Sequence, residues 1–417
     1  MQIKISATQT LRGRIVLPAS KSISNRALVI GALAGGSQET VENASDCDDT
    51  RVMRAWLSER PSTIDIGAAG TAMRFSTALL AVSEGAHVIT GSERMKQRPI
   101  EVLVNALRQL GAQVEYVEKE GFPPLRIVGN PRLQGGEVRL SGSVSSQYLS
   151  ALLMIGPTLE KGLKLVSSDK LISRPYIDMT LSVMCHFGAK ASWVDGQTIV
   201  VEPVPYRSVP YCVENDWSAA SYWYEMVALS SDRDAEVVLP GLYTESLQGD
   251  CHGAEVFEML GVCTEYRDGD VVLRKNGRCV DCLEYDFVSM PDLAQTFVVT
   301  CCVLGVPFHF KGLQSLKIKE TDRIEALKRE LSKMGYLLED RNDCELLWNG
   351  ERLMKETVSP DEIAIDTYED HRMAMAFAPA ALKLGSLRIN KPQVVSKSYP
   401  RFWEDLASVG FAVQTFK

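Results

Sequence analysis

The chain has 417 residues, of which 45% are apolar and 24% charged, and its formal net charge is -8. That length exceeds one ordinary core and points to two domains, while the acidic balance argues against nucleic acid, whose phosphates require a basic surface. No apolar run reaches the roughly 18 to 20 residues of a membrane helix, and Met1 to Thr10 lacks a basic region followed by an apolar stretch, so neither a membrane nor a secretory signal is expected.

Six segments share one pattern, a polar or glycine-containing opening followed by an apolar run rich in Ala and Leu. In chain order they are SKSISNRALVIGAL from Ser20, GAAGTAMRFSTALLAV from Gly67, GSVSSQYLSALLMIG from Gly142, NDWSAASYWYEMVAL from Asn215, PDLAQTFVVTCCVLG from Pro291 and YEDHRMAMAFAPAAL from Tyr368. Ser, Thr, Asp and Asn at such openings cap free N–H groups, and the apolar bodies are too continuous for surface helices. Six central, buried helices are therefore expected. Short β-rich runs lie between them: AHVITG, LRIVG, GLKLVS, TIVVEP, AEVVLPG and FHFKG. A second, amphipathic type of helix, as in IEVLVNALRQLGAQVEY and RIEALKRELSKMGYLL, ends near a glycine suited to a C-cap. The repeat reads as an α/β unit, and the six units group into two domains of three. The expected division is residues 14–214 as an inserted domain, with 1–13 and 215–417 forming the other. The N-terminal strand IKISATQ completes that second domain, because the first unit is short by about one strand pair.

Ten cysteines are scattered along the chain, with Cys279 and Cys282 forming a lone C-x-x-C and Cys301 and Cys302 adjacent in an apolar run. They read as reduced, mostly buried thiols of a cytoplasmic protein. Five histidines without a cluster make a protein-held metal an unexpected feature.

A helix N-terminus carries unpaired N–H groups and partial positive charge, so several buried ones facing one cleft would bind anions even in an acidic protein. Lys21, Ser22, Arg26, Thr71, Ser145, Ser146, Gln147, His371 and Arg372 stand at these openings. Singly, Thr71 or Ser145 is a plain cap and Arg26 a surface charge; their coincidence is the signal. Two loops add Arg94, Lys96 and Arg98, with Pro99 opening the next helix, and Lys319, Glu320 and Arg323, with Thr321 as the cap and Asp322 in the first turn. Arg grips carboxylate or phosphate with two donors, whereas Lys acts as a point charge. Alone, K-E-T-D-R reads as a solvated helix start.

With those residues in view, the chain resembles the EPSP synthase (3-phosphoshikimate 1-carboxyvinyltransferase) family over nearly its whole length. The matching segments, in order, are LPASKSISNRAL, SDCDDTRVM, GAAGTAMRF, ITGSERMKQRPI, GFPPLRI, SGSVSSQYLSALL, LISRPYIDMTL, SLQGD, MPDLAQT, IKETDRIEAL, YEDHRMAMAF and SKSYPRFWEDL. The resemblance implies a two-domain enolpyruvyl transferase fold, each domain built of three βαβαββ units with pseudo-threefold symmetry. It implies that phosphoenolpyruvate and shikimate 3-phosphate are the small-molecule substrates, with no metal or organic cofactor, and a monomer is expected.

Roles follow from the same resemblance. Lys21, Arg98, Gln147 and Lys397 match positions around the phosphate of phosphoenolpyruvate, Gly70 a close backbone approach to it, and Arg323 with Arg372 the pair at its carboxylate. Ser145, Ser146, Ser173 and Lys319 match contacts to the 3-phosphate of shikimate 3-phosphate, on whose side Lys21 and Gln147 also lie. Ser22 and Arg26 match contacts to its carboxylate, and Tyr176 its wall. Asp292 matches the base at the attacking hydroxyl and Glu320 the acid at the methylene carbon, with Lys21 aiding proton transfer. Ala68, Phe75 and Ser315 depart from the family pattern, which commonly has Asn, Pro and Asn there. The related transferase acting on UDP-N-acetylglucosamine carries a reactive Cys in the loop that reads GSERMKQRPI here, and a catalytically dead relative would have lost Lys21, Asp292, Glu320 or Arg372.

Overall fold

A computed structural model describes residues 1–142, 145–169, 171, 173–353 and 363–416. Ser143, Val144 and Ile172, within quoted segments, lie outside the described residues. The chain forms two compact units, residues 19–214 and residues 1–18 with 215–417. The short strand Arg12–Arg14 pairs in parallel with Glu236–Pro240. Residues 14–18 thus group with the second unit, whereas the sequence reading placed them in the inserted domain.

The 19–214 unit has two four-stranded sheets of one design. In each, two parallel strands are followed by an antiparallel pair. The first runs Thr63–Asp65, Ala86–Thr90, Leu125–Val128, Gln113–Tyr116, and the second Gly136–Leu140, Leu163–Ser167, Thr198–Val201, Ala191–Trp193. A third, minimal sheet pairs Val41–Glu42 with Tyr211–Cys212. Alternation sets one face of each strand inward: Leu163 and Leu165 are buried while Lys164 is exposed. The helices Lys21–Leu33, Gly70–Ala81 and Ser146–Ile155 fill the centre, and every residue of Gly70–Ala81 is buried.

The other unit repeats the design three times. Its sheets run Arg12–Arg14, Glu236–Pro240, Asp270–Lys275, Val262–Arg267; then Leu283–Asp286, Phe308–Lys311, Glu345–Trp348, Glu339–Arg341; then Ala364–Ile365, Ser386–Asn390, Gln2–Ser6, Ala412–Phe416. The N-terminal strand is the third partner of the last sheet, antiparallel to both neighbours. Two strands are exchanged. Arg12–Arg14 precedes the Lys21 helix in sequence but pairs behind the Trp217–Leu229 helix, while Tyr211–Cys212 precedes that helix but pairs with Val41–Glu42. The helices Trp217–Leu229, Ala294–Leu304 and His371–Phe377 are central and buried. Phe257 lies 4.3 Å from Phe297 between ring centroids, and Phe287 joins Phe297 and Phe310.

All six expected central helices are present, but their starts differ in detail. Ser145, Asp216 and Asp370 accept from backbone N–H groups of their own first turns, whereas Ser20 and the residue before Gly70 make no such side-chain cap. The amphipathic helices Glu101–Gln109 and Arg323–Lys333 end just before Gly111 and Gly335, both in the left-handed region. Pro99 lies outside its helix, which Ile100 opens, and Asp322 rather than Thr321 caps the Arg323 helix by accepting from the Glu325 N–H at 3.1 Å. Asp is a strong cap, and one place further along its carboxylate reaches the required N–H. Cys47, Cys301 and Cys302 are buried, but Cys185, Cys212, Cys279 and Cys282 are exposed, so the expectation of mostly buried thiols fails. Cys301 and Cys302 sit inside the apolar core of the second unit, whereas Cys47 is buried beside the Ser45 and Thr50 hydroxyls. No helix among the described residues is long and apolar enough to cross a membrane.

Candidate active site

In the 19–214 unit the candidate residues gather where the central helices begin. Lys21 opens its helix, and its Nζ lies 3.5 Å from Oδ2 of buried Asp49. Arg26, one turn on, is buried. Its Nε donates to Thr180 Oγ1 at 2.7 Å, Nη1 to the Ser22 carbonyl at 2.8 Å, and Nη2 to Ser150 Oγ at 3.1 Å and to the Tyr176 carbonyl at 3.2 Å. Burial lowers its pKa to about 10. Arg26 thus ties together helices that carry Ser22, Ser150 and Tyr176, and is no surface charge. Of its five N–H groups, one on Nη1 has no acceptor among the described residues.

Gly70 begins the next central helix, and a Cβ there would lie 2.4 Å from Arg98 Nη1. Only glycine lets the guanidinium lie flat against this helix start. The Arg98 Nε is buried without a hydrogen-bond partner among the described residues. Arg74 braces the same corner, donating to the carbonyls of Gly70 at 3.2 Å and Pro99 at 3.0 Å. Gln147 Nε2 donates to Thr71 Oγ1 at 3.2 Å, which makes Thr71 a side-chain partner rather than a cap. Ser145 accepts from the Gln147 N–H at 3.4 Å, and Ser146 is buried beside it. Ser173 holds a left-handed backbone with φ of 56° at the start of the Arg174–His186 helix, one turn before Tyr176. Arg94 and Lys96 share the loop with Arg98, but Lys96 is spent on Glu118 at 2.9 Å.

In the other unit one guanidinium organises the candidates. Arg323, 1% exposed, donates from Nη1 to Asp292 Oδ1 at 3.0 Å, from Nη2 to Glu320 Oε2 at 3.1 Å, and from Nε to Asp370 Oδ2 at 2.7 Å. Burial works against its charge, but Asp370, Glu320 and Asp292 outweigh that cost and raise its pKa. Asp292 also meets Lys319 Nζ at 3.4 Å and, through Oδ2, Arg372 Nη2 at 3.0 Å. Glu320 Oε1 accepts from Lys397 Nζ at 2.8 Å. Asp370 caps the His371–Phe377 helix by accepting from the Arg372 backbone N–H at 2.9 Å, so one carboxylate holds the Arg323 side chain and the Arg372 backbone. Lys319, Glu320 and Arg323 of the KETDR segment join a partly buried ion-pair network with Arg323 at its buried centre, contrary to the reading as a solvated helix start, because Asp370 and Asp292 draw Arg323 inward.

Four cations, Lys319, Arg323, Arg372 and Lys397, here surround three carboxylates, Asp292, Glu320 and Asp370, leaving an excess of one positive charge. Such a cluster can hold an anion while presenting carboxylates to its reacting carbon or hydroxyl. The structure brings Lys319, Glu320, Arg323, Asp292, Arg372 and Lys397 together in this unit. It gathers Gly70 with Arg98, Thr71 with Gln147, and Ser22 with Arg26 and Tyr176 in the other.

The family model described as EPSP synthase (3-phosphoshikimate 1-carboxyvinyltransferase) matches residues 5–59 and 55–406. This chain belongs to the EPSP synthase family. A Bacteroides fragilis protein named 3-phosphoshikimate 1-carboxyvinyltransferase is 59% identical over 414 residues, covering 99% of either chain. One of the same name from Vibrio cholerae serotype O1 is 36% identical over 435 residues, covering 98% of this chain and 99% of that one. The solved structure of EPSP synthase from Acinetobacter baumannii has a TM-score of 0.77 at 21% identity, covering 99% of this chain and all 100% of that one. The enolpyruvyl transferase NikO from Streptomyces tendae has a TM-score of 0.72 at 14% identity, with 100% and 99% covered. The fold is that of enolpyruvyl transferases.

Against the EPSP synthase pattern, the departure at Phe75 has a physical account. Its buried ring lies 5.3 Å from the Arg26 guanidinium carbon, close enough for a cation–π contact. Ala68 is exposed, and Ser315 has a buried hydroxyl with no partner among the described residues. Sequence reasoning missed Asp49, Arg74 and Asp370 as partners of site residues. Each lies inside a quoted motif, and a buried cation's need for an acceptor was the available signal.

Proposed function

We propose that this chain moves the enolpyruvyl group of phosphoenolpyruvate onto the 5-hydroxyl of shikimate 3-phosphate, giving 5-enolpyruvylshikimate 3-phosphate and inorganic phosphate. The observation that carries the mechanism is Arg323 holding Asp292 at one terminal nitrogen and Glu320 at the other. Two carboxylates on one rigid planar fork supply the base and acid that addition requires. Asp292 takes the hydroxyl proton as the oxygen bonds to the enol carbon, and Glu320 delivers a proton to the methylene carbon. The product is a tetrahedral ketal phosphate. In the second step a methyl proton returns to Glu320, the double bond re-forms, the carbon–oxygen bond to phosphate breaks, and the proton held by Asp292 leaves with the phosphate, restoring both carboxyl groups.

In this reading Lys21, Arg98, Gln147 and Lys397 take the phosphate of phosphoenolpyruvate. The uncapped helix starts at Lys21 and Gly70 add backbone N–H groups. Groups fixed before reaction stabilise charge without reorganising. Arg323 and Arg372 take the carboxylate of phosphoenolpyruvate. Asp292 bridges those two arginines through its two oxygens, so the substrate carboxylate competes for the same donors and frees Asp292 for the hydroxyl. Ser145, Ser146, Ser173 and Lys319 take the 3-phosphate. Ser22 and the remaining Nη1–H of Arg26 take the shikimate carboxylate, with Tyr176 beside them. The proposal includes a cytoplasmic monomer acting without metal or organic cofactor; activity retained after dialysis against a chelator checks the cofactor clause. The decisive experiment is phosphate release on mixing both substrates, with each omitted in turn. Release without shikimate 3-phosphate, or none with both present, overturns the reading.

A further inference from the structure

Behind Asp292 and Arg372 lies a fourth carboxylate that the proposed chemistry does not use. Asp250 sits in the short turn of helix Gly249–His252 and is buried. Its Oδ2 accepts from the Ser218 hydroxyl, and its Oδ1 is buried with no hydrogen-bond partner among the described residues. Ser218 Oγ lies 3.5 Å from Arg372 Nη2, the same nitrogen that reaches Asp292 Oδ2 at 3.0 Å. The other terminal nitrogen of Arg372 faces the Tyr222 hydroxyl at 3.4 Å. The side chains thus run in a line: Asp250, Ser218, Arg372, Asp292.

We infer that Asp250 is a positioning residue for the transfer, acting through the Ser218 hydroxyl to set where the Arg372 guanidinium stands against Asp292 and the incoming carboxylate. This inference rests on the function proposed above. The groups that face Asp250 are Asp292 from the Pro291–Leu293 turn, Arg372 from the His371 helix, and Asp216 and Ser218 from the start of the Trp217 helix. Burial, then Asp292, with a smaller push from Asp216, raise the Asp250 pKa to about 7, against the pull of Arg372 and the Ser218 bond. In acid the group is neutral, and Arg372 is left to Asp292 and substrate. Above about 7 it ionises and competes for Arg372 through Ser218.

The sign follows. A carboxyl whose folded pKa is raised contributes stability that is complete below its unfolded value and is lost as pH rises through the folded value. Affinity for phosphoenolpyruvate falls over the same rise, as Arg372 is drawn away. The experiment compares wild type with Asp250→Asn, Asp250→Ala and Ser218→Ala, reading KM for each substrate, kcat and melting temperature across the neutral range. Expected for wild type is a KM for phosphoenolpyruvate that climbs roughly 3- to 10-fold more steeply than in Asp250→Asn, the scale of one competing charge. Asp250→Ala and Ser218→Ala should hold that KM near its acid-pH value across the neutral range, as Asp250→Asn does, while leaving the KM for shikimate 3-phosphate unchanged, because each removes the competing charge or its link to Arg372. Substrate ionisation is common to all four proteins and cancels. Asp250→Asn with the wild-type pH profile overturns the inference, as does an equal change in both KM values. Should Asp250→Ala not fold, Asp250→Asn and Ser218→Ala still decide. A wild type that releases no phosphate sinks the proposed function instead, so the two failures are distinct.

Discussion

The two units hold most of their cations by different means. In the 19–214 unit, Arg26 is fixed by hydroxyls and carbonyls, Arg98 lies against a glycine with its Nε unanswered, and Lys21 has Asp49 at 3.5 Å. In the other unit, Arg323, Arg372, Lys319 and Lys397 are laced to Asp292, Glu320 and Asp370. Cations held by neutral groups keep their charge for a ligand and make a receptor. Cations held by carboxylates lose much of that attraction but hold the carboxylates in fixed positions for proton exchange. The difference assigns anion capture chiefly to one unit and proton traffic to the other, on the reading proposed above.

The largest expected effect breaks the proton side. Asp292→Asn and Glu320→Gln keep shape and hydrogen bonding but should each lose at least ~100-fold in kcat, the scale of one acid–base group. Phosphate-release kinetics at saturating substrate check this, and near-normal turnover in both removes the distinction between the units. Next in size is Arg26→Met, which removes one donor each from the Ser22 and Tyr176 carbonyls and from the Thr180 and Ser150 hydroxyls at a buried position. A loss of about 2 kcal/mol of stability is expected, read from denaturant midpoints. An unchanged midpoint would show that neutral groups do not hold this charge. Third is Gly70→Ala. The added methyl would meet Arg98 at 2.4 Å, so the guanidinium must move. A rise of about 10-fold in KM for phosphoenolpyruvate, with kcat falling less, is expected from displacing one charge-assisted contact; steady-state kinetics with phosphoenolpyruvate varied give the answer.

Much of this was legible in the sequence, and the omissions have causes. The six buried helices and the alternating strands follow from periodicity, which needs only local pattern. The N-terminal strand was placed by counting strands per repeat, and it lies between Ser386–Asn390 and Ala412–Phe416. The exchange of Arg12–Arg14 with Tyr211–Cys212 was not readable, because two- and three-residue strands carry no pattern and their partners are remote. At the site, the motifs named Lys21, Asp292, Glu320, Arg323 and Arg372, but not how they are tied. Asp370 was invisible as a partner because its distance in sequence from Arg323 gives no hint of the 2.7 Å contact. The solvated reading of KETDR failed for the same reason: local charge density speaks for exposure until a distant carboxylate is known.

The smallest expected effect sharpens the comparison within a single helix. Arg329 Nε reaches Glu325 Oε1 at 2.7 Å, the same distance at which Arg323 Nε reaches Asp370 Oδ2. Distance alone would rank the two pairs equal. Water separates them. The Arg329 and Glu325 side chains are 62% and 43% exposed, against 2% and 0% for Arg323 and Asp370. An exposed pair gains little because solvent already screens its charges and two long side chains lose freedom on pairing. A buried one, once made, cannot lose a partner without stranding a charge in a medium that solvates it poorly. Arg329→Ala should therefore leave the melting temperature and both KM values within experimental error, at low and at high salt. Arg323→Ala should lower the melting temperature and abolish turnover. A clear destabilisation in Arg329→Ala would mean that contact geometry, and not burial, sets the strength of these pairs, and the contrast drawn between the two units would lose its electrostatic basis.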